Sequence, residues 1–303
     1  VQFEITILGC GAATPTLRHL PTAQAINWNG QWMLLDAGEG VQLGLRKQRI
    51  PFQKIEHIFI SHMHGDHVLG LPGLIGSMNL LGRERTLHIY GPSNLKPFVL
   101  TALKLTETHL NFQLDFNAAN PEGMDVSIQE KGARISSFPV KHRIEAYGYQ
   151  FYFEATELNV RKDQIEALNL QRSEIIQLKK GKNVRRPDGT YIKFAHACHN
   201  KANPICYVYS GDTRPCEAVR AASLNADLLY HEATFLNDKR HKAKETGHST
   251  AKQAAQIAAH ANVKKLIIGH FSSRYRNEEL LAAEAEALFK PVVLANEGMK
   301  FQL

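Results

Sequence analysis

The stretch FISHMHGDHVLGLPG, Phe59 to Gly73, sets His62, His64, Asp66 and His67 within six positions and then runs into an apolar, glycine-broken segment. It continues the strand-like run His57-Ile58-Phe59-Ile60, so the backbone enters the motif extended. In that conformation residues two apart project to the same side, which lets His62 and His64 act together, while Gly65 allows a sharp turn that swings Asp66 and His67 round. A helical zinc motif would space its histidines at i and i+4. Imidazole with carboxylate suits zinc, and equally manganese or iron; the missing thiolates argue against a purely structural zinc knot. A lone histidine would be read as an ordinary surface residue. Four donors in so short a span, wedged between apolar segments, point to metal, and one such loop can face two adjacent ions.

The whole chain, 303 residues with 44% apolar composition, is long enough to bury a sizeable core. Val1 to Leu8 alternates like a half-buried strand, without the basic and apolar regions of a secretory signal. The longest charge-free apolar stretch, Val68 to Gly82, is 15 residues and contains Pro72. A membrane span needs roughly 18 or more, so no membrane association is expected. Cys10, Cys198, Cys206 and Cys216 form no C-x-x-C pair, which predicts neither a thiolate zinc cage nor a disulfide framework and favours a reducing, cytoplasmic setting. The net charge of +7 favours polyanionic partners, although evenly spread lysines would give the same sum.

Short β-rich runs alternate with helical stretches, which predicts a layered α/β protein. Asn29-Gly30 between Gln24–Trp28 and Gln31–Leu35 reads as a hairpin turn. Helical spacing is clearest over Ser249–Ala261, with Ser249 as its cap, and over Glu278–Phe289. The runs His57–Ile60, Ile205–Tyr209 and Lys265–Ile268 each end at a histidine- or aspartate-bearing turn, so their C-terminal ends are the natural place for a site.

The T/S-H-x-H-x-D-H pattern resembles the signature of the metallo-β-lactamase fold, and the longer string to Gly73 resembles its ribonuclease Z branch, the tRNA 3′-processing endonucleases. Leu8–Pro15, Leu35–Gly40, Tyr90-Gly91-Pro92, His231–Thr234, Gly247–Thr250 and His270–Tyr275 resemble that family's blocks in order, along almost the whole chain. The resemblance implies an α/β, four-layer αββα sandwich over residues 1–303, with a short basic arm inserted at 155–195. It also implies a ligand set: His62, His64 and His142 for one ion, Asp66, His67 and His270 for a second, and Asp212 bridging them. Two Zn²⁺ per subunit are expected, with Mn²⁺ or Fe²⁺ fitting the same donors. Because these ligands come from residues 62 to 270, they meet only if the chain folds as one unit.

Such a centre supplies a hydroxide to attack phosphorus and neutralises the charge that develops there. The resemblance makes His248 the proton donor to the leaving 3′-oxygen, with Glu232 orienting it and Asp66 holding the nucleophile's proton. Arg274 is placed to grip a phosphate. Between Arg161 and Lys193 nine Lys or Arg face four acids, and this segment falls where the family carries an arm that grips the tRNA elbow. Lys179, Lys180, Lys182, Arg185 and Arg186 are its candidate substrate contacts. The family's arm has a Gly/Pro-rich tip; residues 169–176 contain neither, which predicts a shorter tip or plain helix. The implied activity is removal of 3′ trailers from precursor tRNA by a homodimer. A phosphodiesterase or other small-ester hydrolase on the same fold would not need the arm, and a non-catalytic RNA-binding relative would not need to keep Asp66, Asp212 and His248.

Overall fold

The computed structural model describes residues 3–119, 122, 124–128, 132–154, 158–200 and 203–303. Two seven-stranded sheets carry the architecture. Across the first the order is Lys300–Gln302, Phe3–Gly9, Ala23–Trp28, Gln31–Leu35, Ile55–Phe59, Leu87–Gly91, Leu114–Ala118. Across the second it is Val292–Leu294, Leu266–Gly269, Leu228–Glu232, Ile205–Tyr209, Tyr147–Phe153, Ala133–Pro139, Met124–Ile128. The expected hairpin is present: Gln24 pairs with Leu35 and Trp28 with Gln31, and Asn29 and Gly30 both take the positive φ that this turn requires.

Alternation along each strand builds the layers. Ile58 and Ile60 join Leu34, Ala25 and Ile89 in a core under the helices Val41–Lys47, Gly70–Leu80 and Leu95–Leu105. Phe59, one residue out of phase, faces the other way and meets Tyr149 and Phe151 edge-on, each with ring centroids 5.5 Å apart. Phe3 likewise meets Tyr207 at 6.4 Å. Strands covered on both faces read as nearly continuous apolar runs, as these do. On the far face of the second sheet lies Ala251–His260, beside Glu217–Ala222 and Glu279–Glu286. The order helix, sheet, sheet, helix is the expected αββα sandwich.

One local expectation is corrected. The helix Ala251–His260 is capped by Thr250, whose hydroxyl accepts from Gln253 N–H while the Gln253 side chain returns a bond to Thr250 N–H. Ser249 instead gives its hydroxyl proton to the Thr213 carbonyl at 2.7 Å.

The chain divides into two compact units. The larger comprises Gln2–Val126, Ile135–Phe151 and Cys206–Leu303; the smaller comprises Ser127–Arg134 and Tyr152–Ile205. Within the smaller, the helices Lys162–Ala167 and Arg172–Lys179 and short strands close over a core of Val160, Leu170, Leu178, Val184 and Ile192. Its predicted plain-helix segment is helical from Arg172. Among the described residues no helix is long and apolar enough to cross a membrane.

Candidate metal centre

The centre is built at strand ends of the larger unit. His62, His64, Asp66 and His67 follow Ile55–Phe59; His142 follows Ala133–Pro139; Asp212 follows Ile205–Tyr209; Glu232 closes Leu228–Glu232; His270 follows Leu266–Gly269. Asp36 and His270 turn away from their strands with φ of 56° and 59°, a left-handed conformation that costs energy in residues with a Cβ and clusters at functional sites. Gly65 departs from expectation. It opens a one-turn helix, Gly65–Val68, without a positive φ, and what a side chain there would meet is Leu69, whose Cδ1 would lie 2.8 Å from an added Cβ.

The seven expected ligands come together in two groups, His62, His64, His142 with Asp212, and Asp66, His67 with His270; Asp212 and His270, which also converge with His248, link the two. His64 Nδ1 lies 3.0 Å from His62 Nε2 and 3.1 Å from His142 Nε2. His67 Nε2 and His270 Nε2 are 3.4 Å apart. Asp212 Oδ2 is 3.6 Å from His62 Nε2, 3.4 Å from His67 Nε2 and 3.3 Å from His270 Nε2, a bridging position.

The placement of protons decides whether these groups suit a cation. The Ser61 hydroxyl donates to Asp36 at 2.8 Å, so Ser61 Oγ can only accept from His62 Nδ1–H at 3.0 Å. His67 Nδ1–H goes to Asp36 at 2.8 Å and His142 Nδ1–H to the Gly247 carbonyl at 2.8 Å. Thr234 gives its hydroxyl proton to Glu232 and therefore accepts from His270 Nδ1–H at 2.9 Å. Each of these four rings thus commits Nδ1–H outward and leaves Nε2 as the inward-facing atom, which is how outer acceptors fix a ligating histidine. Burial holds His62, His64 and His142 below the ordinary histidine value, in the neutral form a metal requires. Burial also works against the Asp66 and Asp212 carboxylates, yet positive charge on the facing His67 and His270 rings outweighs it and holds both below the carboxylate range, while, against its burial, the same carboxylates raise His67 well above the ordinary histidine value. Buried carboxylates here require positive charge beside them, a dication can take the place of the ring protons, and the donor set fits a zinc-class ion.

His248 Nδ1 donates to Glu232 Oε1 at 3.0 Å, and the ring lines a cleft of about 470 Å³ with Asp66, Asp212 and His270. Burial pulls His248 down, but the Glu232 charge and hydrogen bond, with Asp212 behind them, push it up to about 9. Glu232 is itself fixed by the N–H groups of Thr213, Thr234 and Ser249, at 3.0 to 3.1 Å. Ala13 N–H donates to Asp66 Oδ2 at 2.6 Å. Arg274 lies in the cleft wall, its guanidinium 4.9 Å over the Phe235 ring and its Nε bonded to Ser272 at 2.8 Å.

The five basic candidates of the arm lie in the smaller unit. Lys179, Lys180, Lys182 and Arg185 are exposed. Arg186 is engaged within that unit by Glu174, at 2.7 and 2.8 Å, and by the Leu168 carbonyl at 2.9 Å. Sequence reasoning does not assign Asp36, Thr234, Ala13 or Gly247, nor Arg143 and Lys242, which line the same cleft as Arg274. Of these, Gly247 alone carries a local signal, a glycine of positive φ directly after a helix.

A family model described as the anti-Pycsar protein Apyc1 matches residues 3–289. Ribonuclease Z of Porphyromonas gingivalis is 39% identical over 301 residues, covering 99% of each chain. Among solved structures, the human tRNase Z short form superposes with a TM-score of 0.70 at 25% identity, covering 98% of each chain. The metallo-β-lactamase fold protein YhfI from Bacillus subtilis superposes with a TM-score of 0.71 at 19% identity over 99% of each, which speaks for the fold alone. The chain belongs to the ribonuclease Z family and, over residues 3–289, to the family described by the Apyc1 model, on a metallo-β-lactamase fold.

Proposed function

We infer that the protein is a metal-dependent endoribonuclease that removes the 3′ trailer from precursor tRNA, leaving a 3′-hydroxyl on the tRNA and a 5′-phosphate on the trailer. The observation that carries this reading is the convergence of four inward-facing imidazole nitrogens on Asp66 and Asp212 beside the His248–Glu232 pair, in a chain like ribonuclease Z over its full length. His62, His64 and His142 would hold one zinc ion, Asp66, His67 and His270 the other, with Asp212 shared. When bound, the pair supplies Lewis acidity, acidifying water near neutral pH and offsetting charge on the phosphoryl oxygens.

The remaining work falls to the chain itself. Ala13 N–H fixes the Asp66 carboxylate, which takes the proton of the attacking water. As the P–O3′ bond breaks, the departing oxygen needs a proton. With Nδ1 committed to Glu232, His248 can give it only from Nε2. Arg274, stacked on Phe235, is positioned for a phosphate beside the cleft, and the exposed lysines of the smaller unit supply sequence-independent attraction for the tRNA backbone. The four unpaired thiols support a reducing, cytoplasmic setting. Family likeness supports a homodimer, which sedimentation equilibrium checks.

The deciding experiment is cleavage of a 3′-extended precursor tRNA with and without chelator, with both product ends mapped. Chelator-sensitive release of a 3′-hydroxyl tRNA is expected. Hydrolysis of a small phosphodiester with the precursor left intact would replace this reading with a general phosphodiesterase.

A further inference from the structure

Outside the His/Asp centre, one more set of metal-ligating side chains converges among the described residues: Cys10, His19 and Glu297. Strand register assembles it. Phe3–Gly9 pairs antiparallel with Lys300–Gln302 on one side and with Ala23–Trp28 on the other, so Cys10, the loop carrying His19 and the turn carrying Glu297 meet at one end of the sheet. Cys10 is fully buried and His19 nearly so.

Cys10 Sγ lies 3.3 Å from His19 Nδ1 and 3.8 Å from Glu297 Oε1, and His19 Nδ1 lies 2.9 Å from Glu297 Oε2. Tetrahedral zinc bonds to S, N and O place neighbouring donors about 3.2–3.6 Å apart, a spacing these distances bracket. The Ala295 carbonyl oxygen, 3.4 Å from the sulfur, is a fourth donor within reach. His19 Nε2–H points at both Glu278 oxygens at 3.0 Å, the outer carboxylate that typically orients a ligating imidazole. Arg18 balances Glu278 at 3.2 Å, and Leu20 N–H fixes Glu297 Oε1 at 2.9 Å. A cleft of about 260 Å³ reaches His19 and Glu297 past Thr16, Lys47 and Gln48 and gives an entry path.

Two protons fill the same cluster: His19 as imidazolium donating to Glu297, and the Cys10 thiol donating to Ala295. Hydrogen bonding to Glu297 raises His19, while burial and then Glu297 and Glu278 raise the Cys10 thiol well above its ordinary value. Negative charge therefore crowds both donors, and a thiolate can exist there only beside a cation. We propose that Cys10, His19 and Glu297 form a further cation site, sharing no residue with the His/Asp centre, that exchanges two protons for one zinc-class dication. Thiolate and carboxylate together neutralise its charge, and sulfur with imidazole selects zinc or cobalt over magnesium or calcium. The bound ion would tie the N-terminal strand to the C-terminal turn.

Cobalt loading of the full chain tests this. A thiolate ligand gives an intense sulfur-to-cobalt charge-transfer band in the near ultraviolet, which the His/Asp centre cannot produce because it has no sulfur donor. The band is expected in the native chain and absent from Cys10→Ser, which should also hold one metal fewer per chain by native mass spectrometry. Should Cys10→Ser fail to fold, His19→Gln and Glu297→Gln, checked for fold by circular dichroism, should each weaken binding of the cobalt responsible for the band by about tenfold or more, the lower end of what a ligand shell costs when disturbed. A cobalt-saturated chain with no such band, or one that keeps it in folded Cys10→Ser or at unchanged affinity in both other variants, would overturn the site. None of these readouts depends on tRNA cleavage.

Discussion

Asp36→Asn changes one atom in a fully buried side chain and leaves its volume unchanged. In the native residue Oδ1 accepts Ser61 N–H at 2.7 Å, while Oδ2 accepts the Ser61 hydroxyl at 2.8 Å, His67 Nδ1–H at 2.8 Å and the Tyr209 hydroxyl at 2.7 Å. Asparagine keeps the first bond and turns an NH₂ group toward the other three donors. The two hydroxyls can rotate and accept; a protonated ring nitrogen cannot. His67 escapes the clash by accepting at Nδ1, which moves its proton to Nε2, the atom facing Asp66, Asp212 and His270. A protonated Nε2 has no lone pair for a cation, so metal binding must restore the native tautomer against a buried donor–donor clash. Losing an outer partner of a metal ligand costs about 10–100-fold in affinity, or about 1.4 to 2.8 kcal/mol. We expect the upper part of that range for the ion at Asp66, His67 and His270. Competition with a chromophoric chelator measures it, and melting in excess chelator shows whether the metal-free chain remains folded. Zinc affinity within about twofold of the native protein, in a folded variant, would refute the tautomer argument, since the weakest effect of such a partner is about tenfold.

His248→Ala should slow precursor tRNA cleavage by about 10²–10⁴-fold, the usual contribution of a general acid, and slow bis(p-nitrophenyl) phosphate hydrolysis far less, since a nitrophenolate departs without a proton; equal losses on both would exclude His248 from proton transfer. Replacing Lys179, Lys180 and Lys182 with alanine should make the plot of log affinity for tRNA against log salt shallower by roughly 0.7–0.9 for each phosphate the variant no longer neutralises, with small-phosphodiester hydrolysis unchanged. An unaltered slope would remove these lysines from the tRNA interface. Thr250→Ala deletes the cap of Ala251–His260 and should cost about 1 kcal/mol in chemical denaturation; a neutral result would show that Ser249 or water replaces it.

The reach of the sequence differs between the motif and its surroundings for a physical reason. Spacing along an extended segment makes His62, His64, Asp66 and His67 readable as donors, whereas His142, Asp212 and His270 come from the family resemblance, only His270 of them within one of its ordered blocks. Where the local rule errs, a neighbour has prior claim: Ser249 reads as a cap, but Thr213 takes its hydroxyl proton. Arg186, a candidate RNA contact, is held by Glu174 within its own unit. The deeper gap concerns lone pairs. Any histidine cluster can keep its protons on Nε2 and bind nothing, and no property of the six-residue motif decides otherwise. The choice is made by Ser61, Asp36, Gly247 and Thr234, the acceptors that take the Nδ1 protons. Ser61 can accept from His62 only because Asp36, 25 residues upstream, has taken its hydroxyl proton. Thr234 can accept from His270 only because Glu232 has taken its own. A chain with the metal motif intact and those two carboxylates replaced by amides would read the same at residues 62 to 67, yet nothing would hold His62, His67 and His270 in the ligating tautomer. The motif supplies the donors, and strand ends brought together by sheet register decide whether their lone pairs face inward.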